Sequence, residues 1–579
     1  MVRLSLENES ASRFKTNYVI GGLAFVILSV LFSTNFINYL KIVITPIPGP
    51  ESKICPLHDS IAPPSFHKDN SSVLNILHDS KYRKQSIERL SGAIQIDTQI
   101  FDNQPDVDDA PEVWSKFKKF HKYLQHTFPL VYENLEVTTV NTYGLVYTWK
   151  GANKNLKPIL LAAHQDTVPI QRDTLDKWTY PPLEGHYDGE YIYGRGASDC
   201  KNVLIAILES LELLLKQGYN PNRTIIAAFG FDEEASGHHG AAKISKYLEA
   251  KWGKNSVYAL IDEGPGLVTN PITDTIIALP ATGEKGYIDI YAELTTSGGH
   301  SSMPPDHTSI GIMSQLSCLL EEEPYEPILT ETNPILKSLQ CLAVHDPKMK
   351  MPRLFKKVIL RSAFDKFANS KLVAKIGENR YFKYLVKTSQ ALDIVKGGEK
   401  VNALPEDTKL GVNHRIDVES NVAFVKQHFT ERVVEIAKKH NLRVTAFGKI
   451  AYEPEGAINI GEFKITCDAP LESAPLTPTD DKVWSYLSGV TRHVFEDIVF
   501  TNLTYRIVTA PALMTPNTDT RYYWNLTKHI FRYSPFYIAN ILESGIHSVD
   551  EKLQFDAHLQ LHAWFYEYLQ AIDTTKAEN

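Results

Sequence analysis

The chain has 579 residues, of which 43% are hydrophobic and 22% are charged, and its formal net charge is −8. A chain of this length and composition is expected to fold into two or more domains. The acidic balance and the lack of a dense Lys and Arg run argue against a nucleic-acid-binding protein. Five scattered cysteines without a CxxC pair argue against a disulfide scaffold or a thiolate zinc site.

The first predicted element is a transmembrane helix at residues 17–40, a stretch without a charged side chain. As a helix it would span roughly 36 Å, against about 30 Å for the hydrocarbon core of a bilayer. A cleaved signal peptide is the alternative, but no small-residue cleavage site is clear. A buried core helix would seldom stay uncharged for so long. Because Arg3, Arg13 and Lys15 precede the span, residues 1–16 are expected to be a cytosolic tail and the rest lumenal or extracellular.

Residues 41–82 are rich in proline and polar residues, which predicts an exposed lumenal stalk that proteases can reach. Four N-glycosylation sequons lie beyond the span, which agrees with a single-pass type II orientation. Their acceptor residues are Asn70, Asn222, Asn502 and Asn525.

Alternating strands and helices follow, which predicts an α/β fold with a mostly parallel sheet covered by helices. Short apolar, β-branched runs predict buried strands at residues 157–164, 223–231 and 256–262. At residues 283–470 the hydrophobic pattern changes to that of half-exposed strands and helices, which predicts a smaller inserted α+β lid domain. The catalytic domain is therefore expected in two parts, residues 83–282 and 471–579.

Polar residues stand at the ends of these apolar strands. They are His164, Asp166, Asp199, Glu233, Glu234 and Asp262, and His547 follows near the C-terminus. Each alone could be a cap or a surface residue, but parallel strands bring their carboxyl ends to one edge of the sheet. Crowded carboxylates repel one another unless a cation compensates. Imidazole and carboxylate ligands suit zinc, with manganese or cobalt possible, and their number predicts two ions.

Glu233 and Glu234 are neighbours, so their side chains are expected to diverge at the end of a strand. One can therefore bind metal while the other faces the substrate as a general base.

The motifs HQDTVP, GRGASDCK, DEE, IDEG, SGGHSS and a late GIH together resemble the dinuclear-zinc exopeptidases, which include aminoacylases and bacterial glutamate carboxypeptidases. The resemblance extends from about residue 83 to the C-terminus. It implies two zinc ions per subunit bridged by Asp199. His164 and Asp262 would complete one zinc site, and Glu234 and His547 the other. Glu233 would be the general base, Asp166 would orient His164, and the peptide bond after Asp199 would be cis.

The resemblance also implies a set of substrate-binding residues: His300, Asn402, Arg415, Thr518 and Asp519. His300 would offer an imidazole to the oxygen of the reacting carbonyl. Arg415 and Asn402 would bind a free α-carboxylate, which suits the planar fork of a guanidinium. Lids of this kind often form homodimers, so a dimer through the lid is possible.

The function implied by the resemblance is a zinc metallocarboxypeptidase, anchored in the vacuolar membrane with its body in the lumen. It would hydrolyse the C-terminal bond of short peptides or N-acyl dipeptides. An N-acyl amino acid amidohydrolase, including one for fatty acyl groups, is an alternative that the sequence does not separate. A catalytically silent lumenal binding protein is disfavoured because every expected ligand and the base are present.

Overall fold

The computed structural model describes residues 25–26, 29, 35–455, 461–539 and 544–578. The predicted cytosolic tail and most of the predicted transmembrane helix lie outside these residues. Within the described part of the chain, no helix combines the length and apolar character needed to cross a bilayer.

An eight-stranded sheet forms the centre of the molecule. Its spatial order is Glu136–Val140, Gly144–Trp149, Ile225–Gly230, Ile159–His164, Leu260–Asp262, Ile530–Arg532, Ala281–Glu284 and Ala512–Met514. The central strand Ile159–His164 pairs in parallel with both neighbours, as predicted. The sheet as a whole is mixed, because the first strands and the Ala281–Glu284 pairing with Ile530–Arg532 are antiparallel.

The central strands are buried along their whole length because helices cover both faces of the sheet. Every residue of Ile159–His164 and Ile225–Gly230 is buried, which explains their continuous apolar sequence. The covering helices are Ser71–His78, Ser80–Ile94, Pro111–Trp114, Phe117–Thr127, Pro129–Asn134, Lys201–Lys216, Ala241–Trp252, Lys482–Arg492 and Phe555–Ala571.

Two smaller sheets extend this body. The strands of the first are Val508–Thr509, Thr275–Ala278, Leu267–Asn270 and Tyr537–Ile538. The strands of the second are Lys552–Gln554, Tyr191–Tyr193 and His186–Tyr187.

The lid is a separate six-stranded sheet with its own core. Its order is Ser389–Gly397, Asp407–Ile416, Gly286–Thr296, Gly461–Cys467, Arg443–Ala446 and Lys449–Tyr452. Burial alternates along Gly286–Thr296, since only one face is covered. The covering helices are Ser309–Glu322 and Val422–His440, whose apolar residues share a core with that face.

The inserted segment 283–470 contains a second packing unit besides the lid. This unit consists of the helices Pro334–Val344, Arg353–Arg361, Lys366–Gly377 and Arg380–Lys383. The buried residues of the first three of these helices form a core with Ile42 and with the small sheet of the body, away from the lid core. The insertion therefore packs as two units rather than one.

Residues 41–82, predicted to be an exposed stalk, differ from that prediction. Cys55 forms a disulfide with Cys341, and the Ile61 amide donates to the Gly489 carbonyl at 3.0 Å. The helix Ser71–His78 buries Val73 and Ile76 in the main core. The i, i+3 spacing of these two residues was the helical signal that the surrounding prolines and polar residues obscured.

Candidate active site

Two histidines meet Asp199 at the carboxyl edge of the main sheet. His164 ends the central strand, and its Nε2 lies 3.0 Å from Asp199 Oδ1. His547 reaches the same carboxylate from the other part of the catalytic domain, with its Nε2 3.1 Å from Asp199 Oδ2. The same nitrogen lies 3.1 Å from Glu234 Oε2. Asp199 therefore occupies the position between two clusters of ligand atoms.

The carboxylate that completes the His164 cluster is Glu263 rather than the predicted Asp262. Glu263 Oε1 lies 3.5 Å from His164 Nε2. Asp262 ends its strand with a buried side chain whose Oδ1 accepts the Glu263 amide at 2.9 Å. Neighbouring residues at the end of a strand point in opposite directions, so only one of the two carboxylates can face His164. The motif IDEG does not reveal which one it is.

Asp166 stands behind His164, on the side away from Asp199. His164 Nδ1 lies 3.0 Å from the Asp166 carbonyl oxygen and 3.4 Å from Asp166 Oδ1. Asp166 Oδ2 also accepts the backbone amide of Glu234 at 3.0 Å. The residue thus joins the imidazole to the loop that carries the two glutamates.

The loop that carries Asp199 is fixed by Glu551, a residue that sequence reasoning missed. Glu551 Oε1 accepts the backbone amides of Gly196, Ser198 and Asp199 at 2.9–3.1 Å. Its other oxygen pairs with Arg195 Nη1 at 2.6 Å. The only signal in the sequence is its position four residues after His547. The Asp199–Cys200 peptide bond in this loop is cis, as the resemblance implies.

The electrostatics of the cluster show uncompensated negative charge. Burial and then the Asp199 charge raise the pKa of Glu263 to about 8. Burial also raises the pKa of Glu234, and hydrogen bonds that His547 donates to Asp199 and Glu234 raise the pKa of its imidazole to about 10. Burial opposes ionisation of Asp199, but its hydrogen bonds with His164 and His547 lower its pKa. These shifts reflect carboxylates crowded together at one site, and a bound divalent cation would relieve their mutual repulsion.

These residues fit a divalent metal site. The ligand atoms of His164, Asp199 and Glu234 all lie within 4.8 Å of one another, and so do those of His164, Cys200 and Glu263. Burial raises the pKa of the Cys200 thiol well above its ordinary value, so this residue stays a protonated thiol and fits a packing role. The remaining donors are imidazole nitrogens and carboxylate oxygens in two overlapping groups.

Glu233 is a further carboxylate next to this cluster. Among the described residues, it is not within ion-pair distance of His164 or His547. Its side chain lines the cavity beside the cluster. Burial, followed by the charge of Glu263, raises its pKa well above the ordinary value. A carboxylate with a raised pKa that faces the cavity can both take and return a proton.

A cavity of about 1230 Å³ separates this edge from the lid. Arg415 lines it from the lid side, where its Nη1 donates to Asn517 Oδ1 at 2.7 Å. Tyr287 and Asn413 line the same wall. Arg415 is thus the one predicted substrate-binding residue of the lid, within the described residues, that faces the cavity.

Thr518 and Asp519 are buried and serve the body of the protein. Thr518 donates its hydroxyl to Glu284 Oε2 at 2.9 Å, and Arg532 Nε donates to the same oxygen at 2.7 Å. Asp519 fills the space above Gly237, where a Cβ would lie 2.2 Å from Asp519 Oδ1. Of the two, only Thr518 borders the cavity. Contact of both residues with substrate stays a prediction, and in this structure the Asp519 carboxylate is packed against glycine.

His300 and Asn402 lie together but away from the cavity of their own chain. The short strand Gly299–His300 pairs with Ala403–Leu404, and the Ser301 amide approaches the Asn402 carbonyl at 3.4 Å. Both residues are exposed, and neither lines the cavity. The structure therefore does not bring them to the cluster within one chain. The four sequon asparagines are also exposed.

Comparison with known proteins agrees with this geometry. The family model described as "Peptidase family M20/M25/M40" matches residues 160–571. Carboxypeptidase S of Saccharomyces cerevisiae is 40% identical over 95% of each chain. An N-fatty-acyl-amino acid synthase/hydrolase of Mus musculus is 31% identical over 84% of this chain and 88% of its own. An M20 family metallo-carboxypeptidase from Sulfolobus solfataricus shares the fold with a TM-score of 0.53 at 15% identity, covering 84% of this chain and 99% of its own.

Proposed function

This chain belongs to the M20/M25/M40 peptidase family, as its motifs predicted, and from that premise we propose that it is a dinuclear zinc carboxypeptidase. It would release the C-terminal residue of short peptides or of N-acyl dipeptides. The observation that carries the proposal is the meeting of His164, Asp199, Glu234, Glu263 and His547 beside a cavity that also holds a base and a guanidinium.

The proposed metal ligands are His164 and Glu263 on one side, Glu234 and His547 on the other, and Asp199 between them. Nitrogen and oxygen donors favour zinc, with manganese or cobalt as alternatives. When bound, such ions polarise the scissile carbonyl and make a nearby water acidic near neutral pH. Asp166 would hold the imidazole of His164 in the orientation that its Nδ1 contact already has.

Glu233 would act as the general base. It lines the cavity but is not among the grouped ligand atoms, so its carboxylate can accept a proton from the attacking water. The raised pKa lets it return that proton to the departing amine in the second half of the reaction.

Arg415 would define the exopeptidase character. The free α-carboxylate of the leaving residue can accept hydrogen bonds from the guanidinium, which lies across the cavity from the metal edge. Its bond to Asn517 uses one guanidinium nitrogen, so Arg415 keeps further N–H donors for a carboxylate. Thr518 would shape this part of the site through Glu284 rather than touch the substrate.

We further propose that His300 and Asn402 act on the cavity of a second copy of the chain in a homodimer formed through the lid. Their exposure and distance from the cavity of their own chain support this arrangement. Exposed Val395 on the lid edge strand and fully exposed Val401 beside Asn402 offer apolar surface for such a contact.

The proposed location is the vacuolar lumen, with an N-terminal type II anchor at residues 17–40. The uncharged stretch supports the anchor, and the exposure of the four sequon asparagines supports a glycosylated lumenal body. Because residues 51–78 pack on the body, proteolytic release is expected before Cys55 rather than throughout the segment.

The experiment that tests the base is Glu233→Gln, with metal content and turnover of an N-blocked dipeptide measured on the same sample. We expect full metal content and a loss of turnover of at least roughly 10²–10⁴-fold. Asp232→Asn, at the buried neighbouring carboxylate, is the matched control for local disturbance. Near-normal turnover of Glu233→Gln would sink the assignment.

An amidohydrolase for N-fatty-acyl amino acids is the second candidate. It is favoured by the apolar wall that Leu513, Met514, Phe536, Ile538 and Ile546 contribute to the cavity. Both functions use Arg415 in the same way. The ratio of kcat/KM for an N-blocked dipeptide and for the matching N-oleoyl amino acid separates the two.

A further inference from the structure

The helical unit of the insertion carries a strong positive charge. Residues 334–387, called the basic helical region below, contain 13 Lys and Arg against 3 Asp and Glu, in a chain whose net charge is −8. The excess of ten positive charges thus lies on about a tenth of the chain. None of the described residues that line the cavity belongs to this region.

Part of this charge faces solvent without a carboxylate partner, although five of the 13 cations form ion pairs. Arg353, Lys366 and Arg380 are exposed. In residues 35–455, 461–539 and 544–578, none of these three has an acidic group within ion-pair distance, whereas Lys375 pairs with Glu378. A folded domain keeps such a concentration of like charge only at an energetic cost unless something negative covers it.

Large apolar side chains are exposed among these cations. Leu354, Phe364, Tyr381 and Phe382 are 42–73% exposed. Aromatic and apolar side chains interspersed with Lys and Arg are typical of protein surfaces that enter the headgroup layer of a bilayer.

The helix Phe36–Ile44 packs on the basic helical region and adds to this surface. Ile42 is fully buried, and the Tyr39 ring lies 5.2 Å from the Phe367 ring. Lys357 and Arg361 donate to the carbonyls of Val43 and Thr45 at the end of that helix.

The other side of this helix is apolar and exposed. It presents Phe36, Ile37, Leu40, Val43 and Ile44. The first five residues of the helix, 36–40, belong to the uncharged stretch that is the predicted anchor, and the Cys55–Cys341 disulfide ties the following segment to the same region. The basic helical region therefore lies next to the point where the chain would leave a bilayer.

We propose that the basic helical region and the helix Phe36–Ile44 form a binding surface for anionic lipid. The cations would bind acidic headgroups of the leaflet that faces the body, and the exposed aromatic and aliphatic side chains would insert between them. Such contacts would hold the body against the membrane in one orientation, whereas a bare anchor would leave it free to turn. The proposal concerns membrane contact and does not depend on the catalytic assignment.

The test uses the full chain in lipid nanodiscs of phosphatidylcholine alone or with phosphatidylserine. Hydrogen–deuterium exchange of residues 353–383 is the measurement. We expect slower exchange with phosphatidylserine and no such difference at high salt. Each cation near an anionic surface contributes about 1 kcal/mol, or roughly fivefold, so Arg353→Glu, Lys366→Glu and Arg380→Glu together should remove the difference.

The matched control reverses three exposed lysines of the lid, Lys438, Lys439 and Lys449, and should keep the lipid-dependent protection. Hydrolysis of a small peptide should be unchanged in both triple variants, which shows that each is folded. Equal exchange in both nanodiscs, or equal loss in the control, would overturn the proposal. Protection without lipid that depends on protein concentration would identify a second copy as the occupant. Protection by soluble polyphosphate alone would identify a polyanion site.

Discussion

The polar residues at the catalytic edge of the main sheet and those at the tip of the lid differ in burial. At the edge, His164 and Asp262 are buried, and Glu551 holds the Asp199 loop through three backbone amides. At the tip, His300 and Asn402 are exposed on a short two-stranded ribbon. The edge is therefore held in place without a ligand, whereas the two residues at the tip do not reach the cavity of their own chain.

This contrast indicates a division of work. Buried, crowded carboxylates are stable only with compensating charge, so the edge is built to hold cations. An exposed imidazole on a separate domain has little desolvation cost. It can act at whichever cavity the lid surface contacts. We therefore expect the edge to determine the chemistry and the lid to determine when and on which substrate it acts.

The largest expected effect comes from the edge, where Glu263→Gln is compared with Asp262→Asn. If Glu263 is a ligand, its loss should remove about one metal equivalent and several kcal/mol of transition-state stabilisation, or at least about 10³-fold in kcat/KM. Asp262→Asn should keep both equivalents and lose no more than roughly 10–100-fold, as is typical of a group that only supports the site. Metal analysis and kcat/KM are the measurements, and the reverse ranking would restore Asp262 as the ligand.

The correction at these two residues shows where sequence reasoning reaches its limit. Neighbouring side chains are expected to diverge at Glu233 and Glu234, and the same holds for Asp262 and Glu263. The pattern predicts that one of each pair faces the site, but the choice depends on where the strand ends. That end is set by pairing with Ile530–Arg532, which lies some 270 residues further along the chain.

The central strands and the convergence of polar side chains at their ends could be predicted because each leaves a local signal. Apolar runs mark Ile159–His164 and Ile225–Gly230, and the polar residues after them follow from parallel pairing. The role of Glu551, the packing of residues 51–78 and the separate helical unit could not be predicted. Each depends on contacts between distant segments, such as Cys55 with Cys341 across 286 residues.

The next largest effect tests whether the lid tip acts on a second chain. His300→Ala should lower kcat by roughly 10²–10³-fold with metal content unchanged, because a donor to the carbonyl oxygen is lost. Refolding or co-expressing this variant with the inactive Glu233→Gln variant should restore activity. A mixed dimer would hold one cavity with Glu233 intact and His300 supplied by the other chain.

Activity of the mixed sample no higher than that of His300→Ala alone would show that the imidazole acts within its own chain. Each single variant mixed with itself is the control. Such a result would mean that a hinge movement of the lid brings His300 to the cavity of its own chain. The edge and the tip would then differ only in when they are in place for the reaction.

A smaller effect is expected at Arg415, the lid residue that already faces the cavity. Arg415→Ala should raise KM by roughly 10–150-fold with a lesser change in kcat, since a hydrogen bond to a charged group contributes about 1.5–3 kcal/mol. A substrate whose C-terminal carboxylate is converted to an amide should not distinguish the variant from the wild type. An equal loss on both substrates would mean that Arg415 supports the structure of the lid wall instead.

The smallest effect concerns Asp417, a buried carboxylate at the end of a lid strand that forms no ion pair with a cation among the described residues. Asp417 directly follows the lid strand Asp407–Ile416 and is 1% exposed. Its Oδ1 accepts the Glu419 amide at 3.0 Å, and its Oδ2 has no hydrogen-bond partner among the described residues. The nearby Lys285 ammonium donates instead to the carbonyls of Tyr384 and Lys387. Burial accordingly raises the pKa of Asp417 from 3.8 to about 6.

The raised pKa makes lid stability fall as pH rises. Between the two pKa values the folded state keeps a proton that the unfolded state has released, so the stabilisation present below pH 3.8 is lost progressively up to about pH 6. The loss is at most about 3 kcal/mol. Asp417→Asn keeps the shape without the charge, so its Tm should match that of the wild type near pH 4 and exceed it by a few degrees at pH 7.

Asp407→Asn, exposed at the other end of the same strand, should show no such pH dependence. A constant Tm difference across this range would mean that Asp417 is ionised and compensated in the folded lid, as the carboxylates of the catalytic edge are expected to be with metal bound.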